Sequence, residues 1–120
     1  MAGEGRLTTH VLDNAHGRPA AGMGIELFLL DGQTRKLLKS VITNSDGRCD
    51  EPLLGGGEFR VGTYELEFNV GEYYQGLIVA GSDPAFLGLV PVRFGIGEKN
   101  SHYHVPLLVS PFAYSTYRGS

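Results

Sequence analysis

The stretch Val61–Val70, VGTYELEFNV, alternates without a break. Tyr64, Leu66, Phe68 and Val70 fall on one side, and Thr63, Glu65, Glu67 and Asn69 on the other. Successive strand side chains point to opposite faces, so this period of two predicts a half-buried strand with its apolar side inward. On either side of it the chain repeats the theme. GIELFLL (24–30) and KLLKSVIT (36–43) flank DGQTR, whose Asp-Gly pair signals a hairpin turn. RLTTHVLD (6–13), VPVRFGIG (90–97) and SHYHVPLLV (101–109) read as further strands, and FAYSTYRG (112–119) follows a reversal at Ser110-Pro111. EYYQGLIVA (72–80) is the one helical candidate, short and weakened by Gly76. The remaining stretches, NAHGRPAAG (14–22), NSDGR (44–48), LGGGE (54–58) and GSDPAF (81–86), are turn-rich loops. Seven or eight short strands at regular spacing predict an all-β, two-sheet sandwich.

With 120 residues the chain forms one domain, 1–120, around a single core. A net charge of −3 gives no electrostatic case for nucleic acid. No apolar run approaches the roughly 20 residues that a membrane-spanning helix needs. MAGEGRLTTH lacks the basic-then-apolar pattern of a secretory signal, and Cys49 has no partner for an internal disulfide. Both points lead to the expectation of a reducing, cytoplasmic setting.

Alternation also orients the histidines. In LTTHVLD, Leu7 and Val11 share the core face, which turns His10 outward with Thr8 and Leu12. In HYHVPLLV, Tyr103, Val105, Leu107 and Val109 form the apolar face; His102, His104, Pro106 and Leu108 lie opposite. Leu12, Pro106 and Leu108 beside the histidines make an apolar patch outside the core, the mark of a subunit interface. If the two strands are neighbours in one sheet, His10 and His104 sit side by side. Pro106 cannot donate to a ladder, so it predicts an edge, a bulge or an unpaired N–H.

His102-x-His104 with His10 could hold a catalytic zinc. Such pairs arise by chance, however, and plain surface or interface histidines are the commoner outcome. Asp46-Gly47-Arg48 reads by itself as an ordinary turn with a solvated arginine. Cys49 reads as a small hydrophobe with no base beside it. Ser115 and Ser120 lack a G-x-S-x-G elbow, and His16 reads as solvated in its loop. From the residues alone follow a sandwich and an outward histidine pair, and no reaction.

LTTHVLDNAHGRPAAG, TNSDGR and the terminal HYHVPLLVSPFAYSTYRGS together resemble 5-hydroxyisourate hydrolase of the transthyretin-related family. The terminal Tyr-Arg-Gly-Ser is the most specific part, because it separates the hydrolases from transthyretin, the carrier of the same fold. The resemblance implies an eight-stranded sandwich with one short helix. It further implies a homotetramer, a dimer of dimers, with its sites in a channel at the dimer–dimer interface. It implies hydrolysis of 5-hydroxyisourate to 2-oxo-4-hydroxy-4-carboxy-5-ureidoimidazoline, with no metal or other cofactor. The family's site residues map onto His10, Arg48, His104 and the last four residues, Tyr117, Arg118, Gly119 and Ser120. His10 and His104 would activate a water and Arg48 would bind the ring's carbonyl or anionic edge. Tyr117 and Arg118 would shape the ring pocket, Gly119 would allow close approach, and Ser120 would orient His104 or relay a proton. The stretch 81–101 departs from the family pattern and is slightly long. The main rival is a non-catalytic carrier, which needs a mainly apolar pocket; an adhesion sandwich is another.

Overall fold

The computed structural model describes residues 5–77 and 83–119. It contains two packed sheets. The first is built on β1 (Arg6–Asp13) and β8 (His102–Ser110), which run parallel, with β2 (Arg18–Pro19) and β5 (Leu54–Gly55) against β1 and β9 (Ala113–Thr116) against β8. The second has the order β4 (Thr34–Ile42), β3 (Gly24–Asp31), β6 (Gly62–Asn69), β7 (Leu89–Ile96), all antiparallel. One short helix, α1 (Val70–Gln75), follows β6.

The opening strand behaves as its alternation requires. Tyr64, Leu66, Phe68 and Val70 are buried and face Leu7, Val11, Tyr103, Val105, Leu107 and Val109 across the sandwich core. On the polar side of β6 only Glu65 is buried, where arginines from the strands on either side reach over it. Glu65 is buried, held by Arg35 from β4 at 3.1 Å and Arg93 from β7 at 3.3 Å. The β3–β4 hairpin forms as expected, with Gly32-Gln33 as its loop, so Asp31 closes the strand instead of entering the turn.

The helix starts and stops earlier than the sequence suggests. Asn69 caps it by accepting from the Glu72 N–H, and Gly76 follows at its end. The last residues assigned to it, 78–80, lie outside the described residues. The loop 14–22 contains the two-residue β2, and 54–58 holds β5 and a 3₁₀ turn.

Asp13, at the end of β1, has no solvent exposure. It accepts from the hydroxyls of Tyr73 and Tyr74 at 2.7 Å each and from the Ala15 and His16 N–H groups, and it meets His16 Nδ1 at 2.6 Å. This ties α1 to β1; His16 is exposed in its turn as expected, and one ring nitrogen also anchors on Asp13. Burial raises the Asp13 pKa, but bonds from Tyr74, His16 and Tyr73 outweigh it and leave the carboxyl below its ordinary value.

Candidate active site

Parallel pairing of β1 with β8 sets Thr8 opposite His104 and His10 opposite Pro106. His10 and His104 therefore lie diagonally on the outer face. Their rings stack with centroids 4.8 Å apart, and His10 Nδ1 is 2.7 Å from His104 Nε2. The turn 44–48 brings in the arginine. Asn44 Oδ1 accepts from the Asp46 and Arg48 N–H groups, and Val11 donates to Gly47 O at 2.8 Å, which docks the turn on β1. Gly47 has φ 72°, and a Cβ there would lie 2.5 Å from Val11 O, so the close approach needs glycine. The docked turn forms a bridge between Arg48 and His10. The Arg48 side chain is exposed and makes no ion pair among the described residues.

The tail completes the wall. β8 is not an edge strand, and Pro106 marks a break in its ladder with β9. Pairing runs from Ser110↔Ala113 to Leu107↔Thr116 and resumes only at the bridge His104↔Gly119. His104 and Pro106 direct their backbone groups to the same neighbour, and proline has no N–H to offer. Tyr117 sits in the resulting gap and lines the site. Gly119 donates to His104 O at 2.7 Å, and a Cβ on Gly119 would lie 2.8 Å from His104 Cδ2. Arg118 stacks over the Tyr103 ring at 4.0 Å and donates to His102 O at 3.4 Å, and is not among the cavity-lining groups. Ser120 lies outside the described residues. Leu12 and Leu108 are only half-buried, whereas Pro106 is buried within the single chain, so the expected open apolar patch is smaller than the sequence indicates.

The cavity these groups enclose is about 590 Å³ and includes His10, Arg48, His104, Tyr117 and Gly119. Its chemistry is basic and neutral at once. Burial, then the Arg48 charge, lowers the His10 pKa. Burial, then His10, Arg48 and His102, pushes His104 down to about 4. Both imidazoles are therefore neutral near pH 7, as proton acceptors must be. Cys49 also lines the cavity, and burial followed by the Asp50 charge raises its pKa, which keeps it a thiol. The role of one group, Thr8, escaped the sequence reading. Thr8 Oγ1 lies 2.7 Å from His104 Nδ1 and 2.7 Å from His102 Nε2. His104 thus has both ring nitrogens engaged, which leaves no lone pair for a metal without loss of a hydrogen bond. No cluster of three or more His, Cys, Asp or Glu placed to hold a metal occurs among the described residues. Nor is any helix there long and apolar enough to cross a membrane.

A β-sandwich that presents a neutral histidine pair and an unpaired arginine to one cavity defines a protein equipped for hydrolytic chemistry on a polar substrate. The HIUase/Transthyretin family model matches residues 7–119, and the chain belongs to that family. It is 60% identical over 120 residues to 5-hydroxyisourate hydrolase 2 of Rhizobium meliloti (strain 1021), covering 100% of both chains. Among solved structures it resembles (S)-allantoin synthase with a TM-score of 0.91 and 48% identity, covering 98% of this chain and 44% of that one. It also resembles Klebsiella pneumoniae 5-hydroxyisourate hydrolase with a TM-score of 0.80 and 31% identity, covering 97% and 99% respectively.

Proposed function

We propose that this protein hydrolyses 5-hydroxyisourate to 2-oxo-4-hydroxy-4-carboxy-5-ureidoimidazoline in the degradation of urate. The observation that carries this reading is the His10–His104 contact of 2.7 Å beside Arg48, in a family whose members at high identity are named for that reaction. In the reaction, water adds to a ring carbonyl, the ring C–N bond breaks and the freed nitrogen gains a proton. His10 takes the proton of the attacking water, oriented by its bond to His104. The Arg48 fork binds the polarised carbonyl and the oxyanion that develops on it. Tyr117 forms a wall for the flat ring, and Gly119 lets the tail lie against His104. Ser120 follows at once and is assigned to orienting His104 or relaying a proton. Arg118 holds the tail through Tyr103 and His102 O, and so shapes the ring pocket by positioning Tyr117 and Gly119 on either side of it.

The outer-face position of the cavity supports an assembly in which copies face one another across it, a homotetramer built as a dimer of dimers. Sedimentation velocity tests that directly. A cytoplasmic, reducing setting belongs to the same reading, supported by the unpaired Cys49 thiol. His10, His104 and Arg48 converging on the cavity argue against a carrier, which has no use for a histidine pair and a free guanidinium.

The test is ultraviolet absorbance of 5-hydroxyisourate, freshly made from urate and urate oxidase, with and without the protein. Decay faster than the spontaneous rate, with no metal added, is expected. Decay at the spontaneous rate from folded protein would reject hydrolysis and favour the carrier.

A further inference from the structure

Four side chains on the outer face of the β1–β8 sheet form one unbroken line. His10 Nδ1 meets His104 Nε2, His104 Nδ1 meets Thr8 Oγ1, and Thr8 Oγ1 meets His102 Nε2, each at 2.7 Å. The His102 and His104 rings are 6.1 Å apart between centroids, so the hydroxyl is their only bridge in this line. A hydroxyl has one proton and two lone pairs, and a neutral imidazole has one N–H and one lone pair. Such groups in series can be polarised in one direction only at a time. With His10 donating to His104, His104 donates to Thr8 and Thr8 donates to His102. This order leaves the lone pair of His10 Nε2 facing outward.

We propose that Thr8 and His102 are positioning residues that make this line a proton relay, with His102 holding the proton of the attacking water until the leaving nitrogen takes it. The inference rests on the hydrolase reading above. Each proton is accounted for. The water proton goes to His10 Nε2, the His10 Nδ1 proton to His104 Nε2, and the His104 Nδ1 proton to Thr8 Oγ1. The Thr8 hydroxyl proton goes to His102 Nε2. His102 then carries protons on both nitrogens, while His10 and His104 have only exchanged tautomers and remain neutral. The reverse passage delivers a proton from His10 Nε2 to the departing ring nitrogen as the C–N bond breaks.

Of the three rings, His104 is the least able to store the charge, because burial, His10, Arg48 and His102 all oppose a cation there. A cation on His10 or His104 is opposed by burial and by Arg48, most severely at His104. His102 stands farther along the line, bordered by Arg6 from β1 and Arg118 from the tail. Asp50, Glu51 and Tyr117 are the other ionisable groups in the cavity wall besides Arg48 and Cys49. Burial, then Arg6 and Arg118, lowers the His102 pKa, so the stored proton is held weakly and returns readily. No protein group bonds His102 Nδ1 among the described residues, which leaves that end of the relay open to solvent exchange.

The experiment compares the full-length protein with Thr8→Val, Thr8→Ser and His102→Ala. It measures kcat and KM for 5-hydroxyisourate with and without added imidazole, after subtracting enzyme-free decay in the same buffer. Thr8→Val should lower kcat about 10-fold or more at unchanged KM, and Thr8→Ser should stay within about twofold of the parent. His102→Ala should also lose kcat, and imidazole in solution should restore it in a saturable way. A Thr8→Val protein with parental kcat overturns the relay. So does a loss in His102→Ala that imidazole leaves untouched, because a packing defect has no need of a proton carrier. If Thr8→Val fails to fold, the imidazole response of His102→Ala decides alone. Failure of the parent protein to accelerate decay would reject the hydrolase reading instead.

Discussion

Lowering the pH separates a buried histidine pair from an ordinary one. His104 is held at about 4, against 6.5 for an unperturbed imidazole, by burial and by His10, Arg48 and His102. At pH 5 a group with a pKa of about 4 is still about nine-tenths neutral, whereas one at 6.5 retains only about 3% of its neutral form. If neutral His10 and His104 are the working form, the acid limb of kcat/KM should therefore lie below 6.5, with His104 itself still neutral at pH 5. Arg48→Met removes one of the charges that depress both histidines, so the limb should move upward while burial still keeps it under 6.5. The assay is stopped-flow absorbance of 5-hydroxyisourate, corrected for spontaneous decay at each pH, with NMR titration of the imidazole C–H signals in parallel. An acid limb centred at 6.5 or above, matched by a histidine signal titrating there, would refute the argument. Stability follows the same sign. The folded state binds protons at these histidines less readily than the unfolded chain, so their stability term is complete above 6.5 and erodes as pH falls toward 4.

The other predictions concern the supports of the site. Gly119→Ala should displace the His104 ring, because the new methyl would lie 2.8 Å from its Cδ2; we expect kcat to fall about 10-fold with little change in Tm. His10→Ala and His104→Ala should each reduce turnover at least about 100-fold, and near-parental rates in both would remove them from the chemistry. Deleting residues 117–120 should abolish hydrolysis in a chain that still folds, as circular dichroism would report. Asp13→Ala leaves two buried tyrosine hydroxyls without their carboxylate and should cost about 3 kcal/mol or more in urea denaturation. The Asp13 contribution is present above the ordinary carboxylate range and is lost as pH falls through its depressed pKa.

The strands were legible because each core-facing residue leaves a mark at period two. Tyr64, Leu66 and Phe68 say which side of β6 is inward, and Leu7 and Val11 turn His10 outward. Strand order was not legible, because alternation fixes faces and is silent on neighbours. The pairing of His10 with His104 depends on a parallel contact between residues 94 apart, which leaves no local signal. Two-residue strands such as β2 and β5 are too short to show any period. The helix was misplaced because Asn69 both ends a strand and caps a helix, and the sequence pattern shows only the first role. Asp13 falls on the inward face of β1 with Leu7 and Val11, but nothing local in the sequence names the two tyrosines of α1 that hold it there. Thr8 escaped for a related reason: an outward hydroxyl looks solvated until its neighbours across the sheet are known. Pro106 was read correctly as an unpaired position, but not as the gap that holds Tyr117.

The parallel pairing of β1 with β8 makes the site a late product of folding. His10 and His104 stand 94 residues apart, so a nascent chain that has not yet reached His104 carries no pair. Contacts of such long sequence separation are slow to close, since a large loop must be restrained before they give anything back. The sheet of β3, β4, β6 and β7 is contiguous enough to form while the remainder is still being made. Turnover is therefore a stricter gauge of completed synthesis than secondary-structure content.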